Sequence, residues 1–110
     1  MPAPAIKIGQ LRHRVAIQHV TETRDDDGSV VQVWATLCHP RAEIVPLNGS
    51  EDFVAQGLSA SIIHRITIRF REGITPKMKI VWGDREFEIV TARNLDERGR
   101  WLVMNCEEAV

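Results

Sequence analysis

The stretch Met78–Ile89 limits what this chain can become more than any other. Gly83-Asp84 is a favoured two-residue hairpin turn, and apolar residues lie on both sides of it. Counting outward pairs Trp82 with Arg85, Val81 with Glu86, Ile80 with Phe87, Lys79 with Glu88 and Met78 with Ile89. Met78, Ile80, Phe87 and Ile89 then share one face. Lys79 and Glu88 form an opposite-charge pair on the other, a kind that contributes roughly 0.2–1 kcal/mol. A slip of one residue would turn the apolar set toward water, so turn chemistry and hydrophobic pattern specify the same register.

The segment before the hairpin repeats with period two. His64, Ile66, Ile68 and Phe70 alternate with Arg65, Thr67, Arg69 and Arg71, as in a half-buried strand. Gly73 and Pro76 break the run. Further strands are expected at His13–Val20, Val30–Leu37, about His39–Pro46 and Trp101–Glu107. Pro40 and Pro46 confine the third of these to an edge or a bend. In the last, Leu102, Met104 and Cys106 alternate with Trp101, Val103 and Asn105, which predicts a strand covered on both faces. Thr21–Ser29 contains Arg24-Asp25-Asp26-Asp27-Gly28 and is expected to be a polar loop projecting from the sheet.

One helix is expected, about Ser50–Leu58. Asn48 or Ser50 can cap it, Glu51 and Asp52 suit its N-terminus, and Phe53 and Leu58 would pack on the sheet. It is too short to stand alone. Residues 1–8, with Pro2 and Pro4, read as a flexible arm, and Ile6–Arg14 as running extended into the first strand. The pattern describes a mainly β fold: a small barrel or sandwich of about six to seven antiparallel strands, with one short helix near 50–58 and a long loop near 21–29.

A length of 110 residues fits one domain, 1–110. A net charge of −1 creates no global field toward nucleic acid or membrane. Locally the balance differs. Arg65, Arg69, Arg71, Lys77, Lys79 and Arg85 outweigh Glu72 and Asp84, for net +4, while Glu22, Asp25, Asp26 and Asp27 outweigh Arg24, for net −3. These are either two solvated surfaces or two complementary faces that meet between copies of the chain. Cys38 and Cys106 offer neither metal spacing nor a disulfide framework and are expected as reduced thiols. No segment reads as a signal peptide and no apolar run is long enough to cross a bilayer, so the expected setting is the cytoplasm or a particle assembled there.

No catalytic constellation emerges. His13, His19, His39 and His64 are scattered without paired spacing for a metal. Three consecutive Asp residues do not alternate toward a common centre as a calcium loop requires. Cys38 and His39 would point to opposite faces of a strand. Glu86 and Glu88 have Lys79 and Arg85 as ion-pair partners. The basic strip Arg65, Arg69, Arg71, Lys77, Lys79 leaves a small single-strand nucleic-acid-binding β-barrel as an alternative, with Trp34, Trp82 and Trp101 as the aromatics available for stacking.

Several pieces, taken in order, carry a resemblance. They begin with Ile8-Gly9-Gln10-Leu11-Arg12-His13-Arg14-Val15, then Asp27-Gly28 followed by Trp34, then Ala42-Glu43-Ile44 with Gly49-Ser50-Glu51. They continue with His64-Arg65-Ile66-Thr67-Ile68-Arg69-Phe70 and Gly73-Ile74-Thr75-Pro76-Lys77-Met78, and close with Glu88-Ile89-Val90, Asp96-Glu97-Arg98 and Trp101-Leu102. Together they resemble the head–tail joining family of long-tailed phages and gene-transfer agents, also called head-closure, stopper or head–tail adaptor proteins. Two features depart from the family pattern: Ser50 where a basic residue is frequent, and the acidic tip of the first loop.

The resemblance implies a structural virion protein rather than an enzyme, with no cofactor and no metal. It implies a ring of six or twelve copies at the head–tail connector that closes the DNA channel after packaging and presents a surface to the tail. The implied partners are the portal or adaptor protein on one side and a tail terminator or tail protein on the other. DNA would pass without sequence-specific contact, no membrane would be involved, and the protein would be made in the bacterial cytoplasm. On that reading Arg24, Asp25, Asp26, Asp27 and Gly28 are candidates for a loop in the lumen. Arg65, Arg69, Arg71, Lys77 and Lys79 are candidates for a subunit or adaptor contact face.

Overall fold

The structure, a computed structural model, describes residues 7–47 and 63–108. It contains eight antiparallel strands: β1 (His13–Arg14), β2 (Ala16–Arg24), β3 (Val30–Cys38), β4 (Arg41–Pro46), β5 (Ile63–Arg69), β6 (Lys79–Trp82), β7 (Arg85–Asn94) and β8 (Trp101–Glu108). They form one sheet in the order β1-β4-β5-β8-β7-β6-β2-β3. The outer members of that order are chain-continuous with inner ones. Val15 alone separates β1 from β2, and His39-Pro40 separates β3 from β4. Across the two junctions the Val15 N–H donates to the Pro40 carbonyl at 3.0 Å. The sheet therefore curls back on itself as a small barrel of six continuous strands, β1/β2, β3/β4 and β5 to β8, in agreement with the sequence pattern.

The β6–β7 hairpin has the expected register, Trp82↔Arg85, Val81↔Glu86, Ile80↔Phe87 and Lys79↔Glu88. The Ile89 N–H donates to the Met78 carbonyl, which extends the pairing to those two residues. Gly83 has φ +61° while Asp84 does not take positive φ, the pattern of a type II′ turn with glycine first. Lys79 reaches diagonally to Glu86 at 3.1 Å instead of bonding Glu88 directly opposite, a contact that long side chains make across a twisted pair.

The core fills the barrel from all sides: Val15, Ile17, Ala42, Ile66, Ile68, Ile80, Phe87, Ile89, Leu102, Met104 and Cys106. Thr67 is buried as well, although it points away from Ile66 and Ile68, and its cross-strand partner on β8 is the buried Val103. The centre of β5 and β8 is thus covered on both faces. The sequence predicts this for β8 but not for Thr67.

Three expectations need correction. The polar stretch 21–29 is not a long loop, because β2 continues to Arg24 and the turn spans only Asp25–Ser29. Thr21 and Thr23 are β-branched, lie opposite Val33 and Val31, and donate their hydroxyls to those carbonyls at 3.1 and 3.5 Å. Gly28, at φ +86°, then closes a three-residue loop. At the start of the chain Ile8–Gln10 forms a 3-10 turn, held by the Gln10 N–H on the Lys7 carbonyl, instead of running extended. β4 begins at Arg41 because Pro40 occupies the bend. The expected helix at 50–58 and residues 1–6 of the expected arm lie outside the described residues.

Candidate functional site

Beyond Gln18, β2 leaves the barrel. Its pairing with β6 ends at Gln18↔Lys79, and from there to the tip it pairs only with β3. Seven residues at ~3.3 Å each carry the turn about 23 Å outward, and the long axis of 57 Å against 32 and 26 Å reflects this arm. The arm is unusual in what it leaves in water. Of seven exposed large hydrophobic side chains among the described residues, five lie on it: Val20, Val30, Val31, Val33 and Trp34. Val30–Cys38 contains no charged residue.

The tip gathers Arg24, Asp25, Asp26, Asp27 and Gly28, the lumen-loop candidates. The Ser29 N–H donates to the Asp27 carboxylate at 2.9 Å, and the Asp26 N–H to that of Asp25 at 3.2 Å. The Ser29 backbone and side-chain hydrogen bonds hold the Asp27 carboxyl below the usual carboxylate range. The acidic charge is therefore fixed at the end of the arm.

The basic candidates do not share one face. Arg65 and Arg69 are on β5 and Lys79 is on β6. Around the barrel two strands separate β5 from β6 in either direction, so the two groups lie on opposite sides. Arg65 sits 3.9 Å from Glu43. Lys79 bonds Glu86 and lies 4.4 Å over the Trp34 ring. Lys77 and Lys79, with Trp34, Glu86, Phe87 and Glu88, line a hollow of about 360 Å³ at the root of the arm. Arg69 instead lines a hollow of about 250 Å³ with Phe70, Gly99, Arg100 and Trp101. Arg71 lies near Cys38, where its charge partly offsets the burial that raises the thiol pKa.

A third cluster closes one end of the barrel. Arg85 makes a forked pair with Glu108, Nε to Oε2 at 2.6 Å and Nη2 to Oε1 at 3.0 Å. Arg85 Nη2 is also 3.3 Å from Nε2 of the buried His64, whose ring meets Phe87 edge-on at 4.9 Å. The guanidinium lies 5.1 Å from both the Trp82 and the Phe87 ring. Its hydrogen bonds push the Glu108 carboxyl below the usual range. This clamp ties β5, β7 and β8 together and carries no nucleophile. In the sequence the nearest ion-pair partners of Arg85 are Glu86 and Glu88. The register that brings Glu108 opposite Phe87 depends on contacts across the whole chain and has no local signal.

The arm also escaped the sequence reading. The alternation of Thr21, Glu22, Thr23 and Arg24, mirrored by Val30–Val33, was the available signal. Among the described residues no group of three or more His, Cys, Asp or Glu side chains could hold a metal ion. No helix among them is long and apolar enough to cross a membrane.

Residues 6–109 match the family model of the phage head completion protein, and the chain belongs to that family. No curated protein matches the sequence. The fold is similar to the solution structure of a protein from Shigella flexneri 2a, with TM-score 0.74 and 24% identity over 96% of this chain and 98% of that one. It is also similar to a chain in the virion of a native gene transfer agent particle, with TM-score 0.68 and 20% identity over 90% of this chain and 96% of that one.

Proposed function

We propose that this phage head completion protein is a structural part of the head–tail junction, where copies form a ring that closes the DNA channel after packaging and offers a surface to the tail. Family membership supports the setting. The observation that carries the mechanism is the division of the molecule into a closed, well-packed barrel and a projecting arm with an acidic end. The barrel serves as the rigid body of the ring, which the proposal builds from six or twelve copies.

Arg24, Asp25, Asp26, Asp27 and Gly28 reach into the bore. Their repeated negative charge repels DNA phosphate, so DNA slides past the ring and does not adhere to it. Arg65, Arg69 and Arg71 supply the contact face for a neighbouring subunit or the portal or adaptor protein. Lys77 and Lys79, on the other side of the barrel, support the root of the arm. The tail protein docks on the opposite rim, and the finished protein resides in the virion.

Replacing Asp25, Asp26 and Asp27 together with Ser tests the lumen role. The expected result is particles that assemble but release or eject their DNA abnormally. Unchanged DNA retention and infectivity would remove the tip from the mechanism. Oligonucleotide binding at low and moderate salt separates this reading from a single-strand-binding barrel, which would show salt-sensitive affinity.

A further inference from the structure

We propose that each arm is completed by its neighbour: the outer edge of β3 pairs with the free edge of β2 in a second copy of this chain, and the arms form one continuous antiparallel belt. The inference rests on the ring proposed above and names the surface that joins its copies.

The hydrogen bonds of the arm show which backbone groups are free. Asp25 N–H donates to the Ser29 carbonyl, and the Thr23 and Thr21 hydroxyls donate to the carbonyls of Val31 and Val33. Those three carbonyls therefore face β2. In an antiparallel strand the N–H and C=O of one residue point the same way, and successive residues alternate. Val30, Gln32 and Trp34 thus direct their backbone groups outward from β3. Their partners Arg24, Glu22 and Val20 direct theirs outward from β2. Among the described residues no strand lies against either set.

Natural sheets blunt such edges with charge, proline or a bulge. β3 carries none of these from Val30 to Thr36, and Val30, Val31, Val33 and Trp34 are all exposed there. Thr21, Thr23, Val31 and Val33 make one face of the ribbon uncharged and largely β-branched, a composition that favours strand pairing.

Symmetry selects the occupant. Copies related by rotation point their arms the same way, and within each arm β2 and β3 run in opposite directions. β3 of one copy therefore meets β2 of the next in the antiparallel sense, and the same contact repeats until the ring closes. A strand from another protein would satisfy one edge and leave the other open, whereas a second copy satisfies both.

Gln32→Pro removes one outward N–H and leaves the β2–β3 ladder intact, and Gln32→Thr keeps that N–H. Both variants are compared with the parent for thermal unfolding and for copies incorporated per particle. Amide hydrogen exchange of the unmodified protein is followed in monomer and in particles. The expected result is a Gln32→Pro monomer that melts near the parent but is lost from particles, while Gln32→Thr incorporates normally. The amides of Val20, Glu22, Gln32 and Trp34 should exchange at least about tenfold more slowly in particles than in monomer. Normal incorporation of Gln32→Pro, or fast exchange of all four amides in particles, overturns the belt and leaves the ring standing. Slowing of Gln32 and Trp34 alone overturns the second copy in favour of another protein's strand. A single copy per particle overturns the ring and the belt together. Should Gln32→Pro fail to fold, the exchange data on the unmodified protein decide.

Discussion

Thr67→Val should make this protein more stable, against the usual direction of a core substitution. Thr67 is 1% exposed, and its Oγ1 has no hydrogen-bond partner among the described residues. Burying a hydroxyl without a partner costs about 1–3 kcal/mol in proteins. Valine keeps the shape, removes the polar atom and suits a strand equally well. A gain of about 1–2 kcal/mol is expected, at the low end of that range because a methyl never fits an oxygen's place perfectly. With an unfolding entropy of about 2.1 cal/mol/K per residue, a chain of this length gains about 4 °C in Tm for each kcal/mol. The rise should therefore be about 4–8 °C. Urea unfolding gives the free energy directly, provided the slope with denaturant is unchanged. Thr67→Ser, which keeps the hydroxyl and loses the methyl, should be destabilised by about 1 kcal/mol. If Thr67→Val instead loses stability, the hydroxyl has a partner and the reasoning fails.

Two predictions concern pH. Arg85 lowers the folded pKa of Glu108 below its ordinary value of 4.5, so this pair contributes stability above that value and loses it as pH falls through the lowered one. Glu108→Gln should accordingly flatten the acid side of a urea-midpoint profile between about pH 2 and 6, and a profile identical to the parent would show that the clamp does not couple to folding. Burial raises the Cys106 thiol from 9.0 to about 12, so stability is intact below pH 9 and falls by about 1.4 kcal/mol per pH unit above it. Cys106→Ala should remove that part of the alkaline slope, and in the native parent a thiol reagent should label Cys38 well before Cys106.

What was legible in the sequence was local. Gly83-Asp84 and the flanking alternation specify one hairpin, because turn type and hydrophobic face must agree. The burial of His64, Ile66 and Ile68 follows from period two alone. The polarity of Thr21–Arg24 reads as a loop, whereas Thr21 and Thr23 bond across to β3 and make a polar strand. The grouping of Arg65 with Lys79 failed for a different reason. Fourteen residues apart in the chain, they are carried to opposite sides of the barrel by the insertion of β7 and β8 between their strands. Nothing local encodes that insertion, and the Arg85–Glu108 clamp depends on the same long-range order. The tip acids were found as a charge run, but their position at the end of an arm required the strand on each side.

An exposed edge of this kind invites uncontrolled association, and two features of the arm oppose it. The first is energetic. Six or seven cross-strand pairs at roughly 0.2–1 kcal/mol each amount to roughly 1–7 kcal/mol, which falls short over most of the roughly 4–15 kcal/mol that association costs in lost translation and rotation. On the proposed belt, then, arms do not gather copies from solution. They close only after the barrels have been collected on a platform that has already met that cost. The second is electrostatic. Asp25, Asp26 and Asp27 stand at every tip, so arms that approach tip to tip repel, and the repulsion is felt within about 8–10 Å at physiological salt. Side-by-side arms in register bring equal tips to equal height, and this repulsion resists closure of the bore while the backbone pairs favour it. The balance should shift with ionic strength: added salt weakens the repulsion and leaves the backbone pairs nearly untouched. Particles carrying the unmodified chain should therefore protect the amides of Gln32 and Trp34 more strongly at high salt than at low. Loss of protection at high salt would show that charge attraction, and not backbone pairing, holds the arms together.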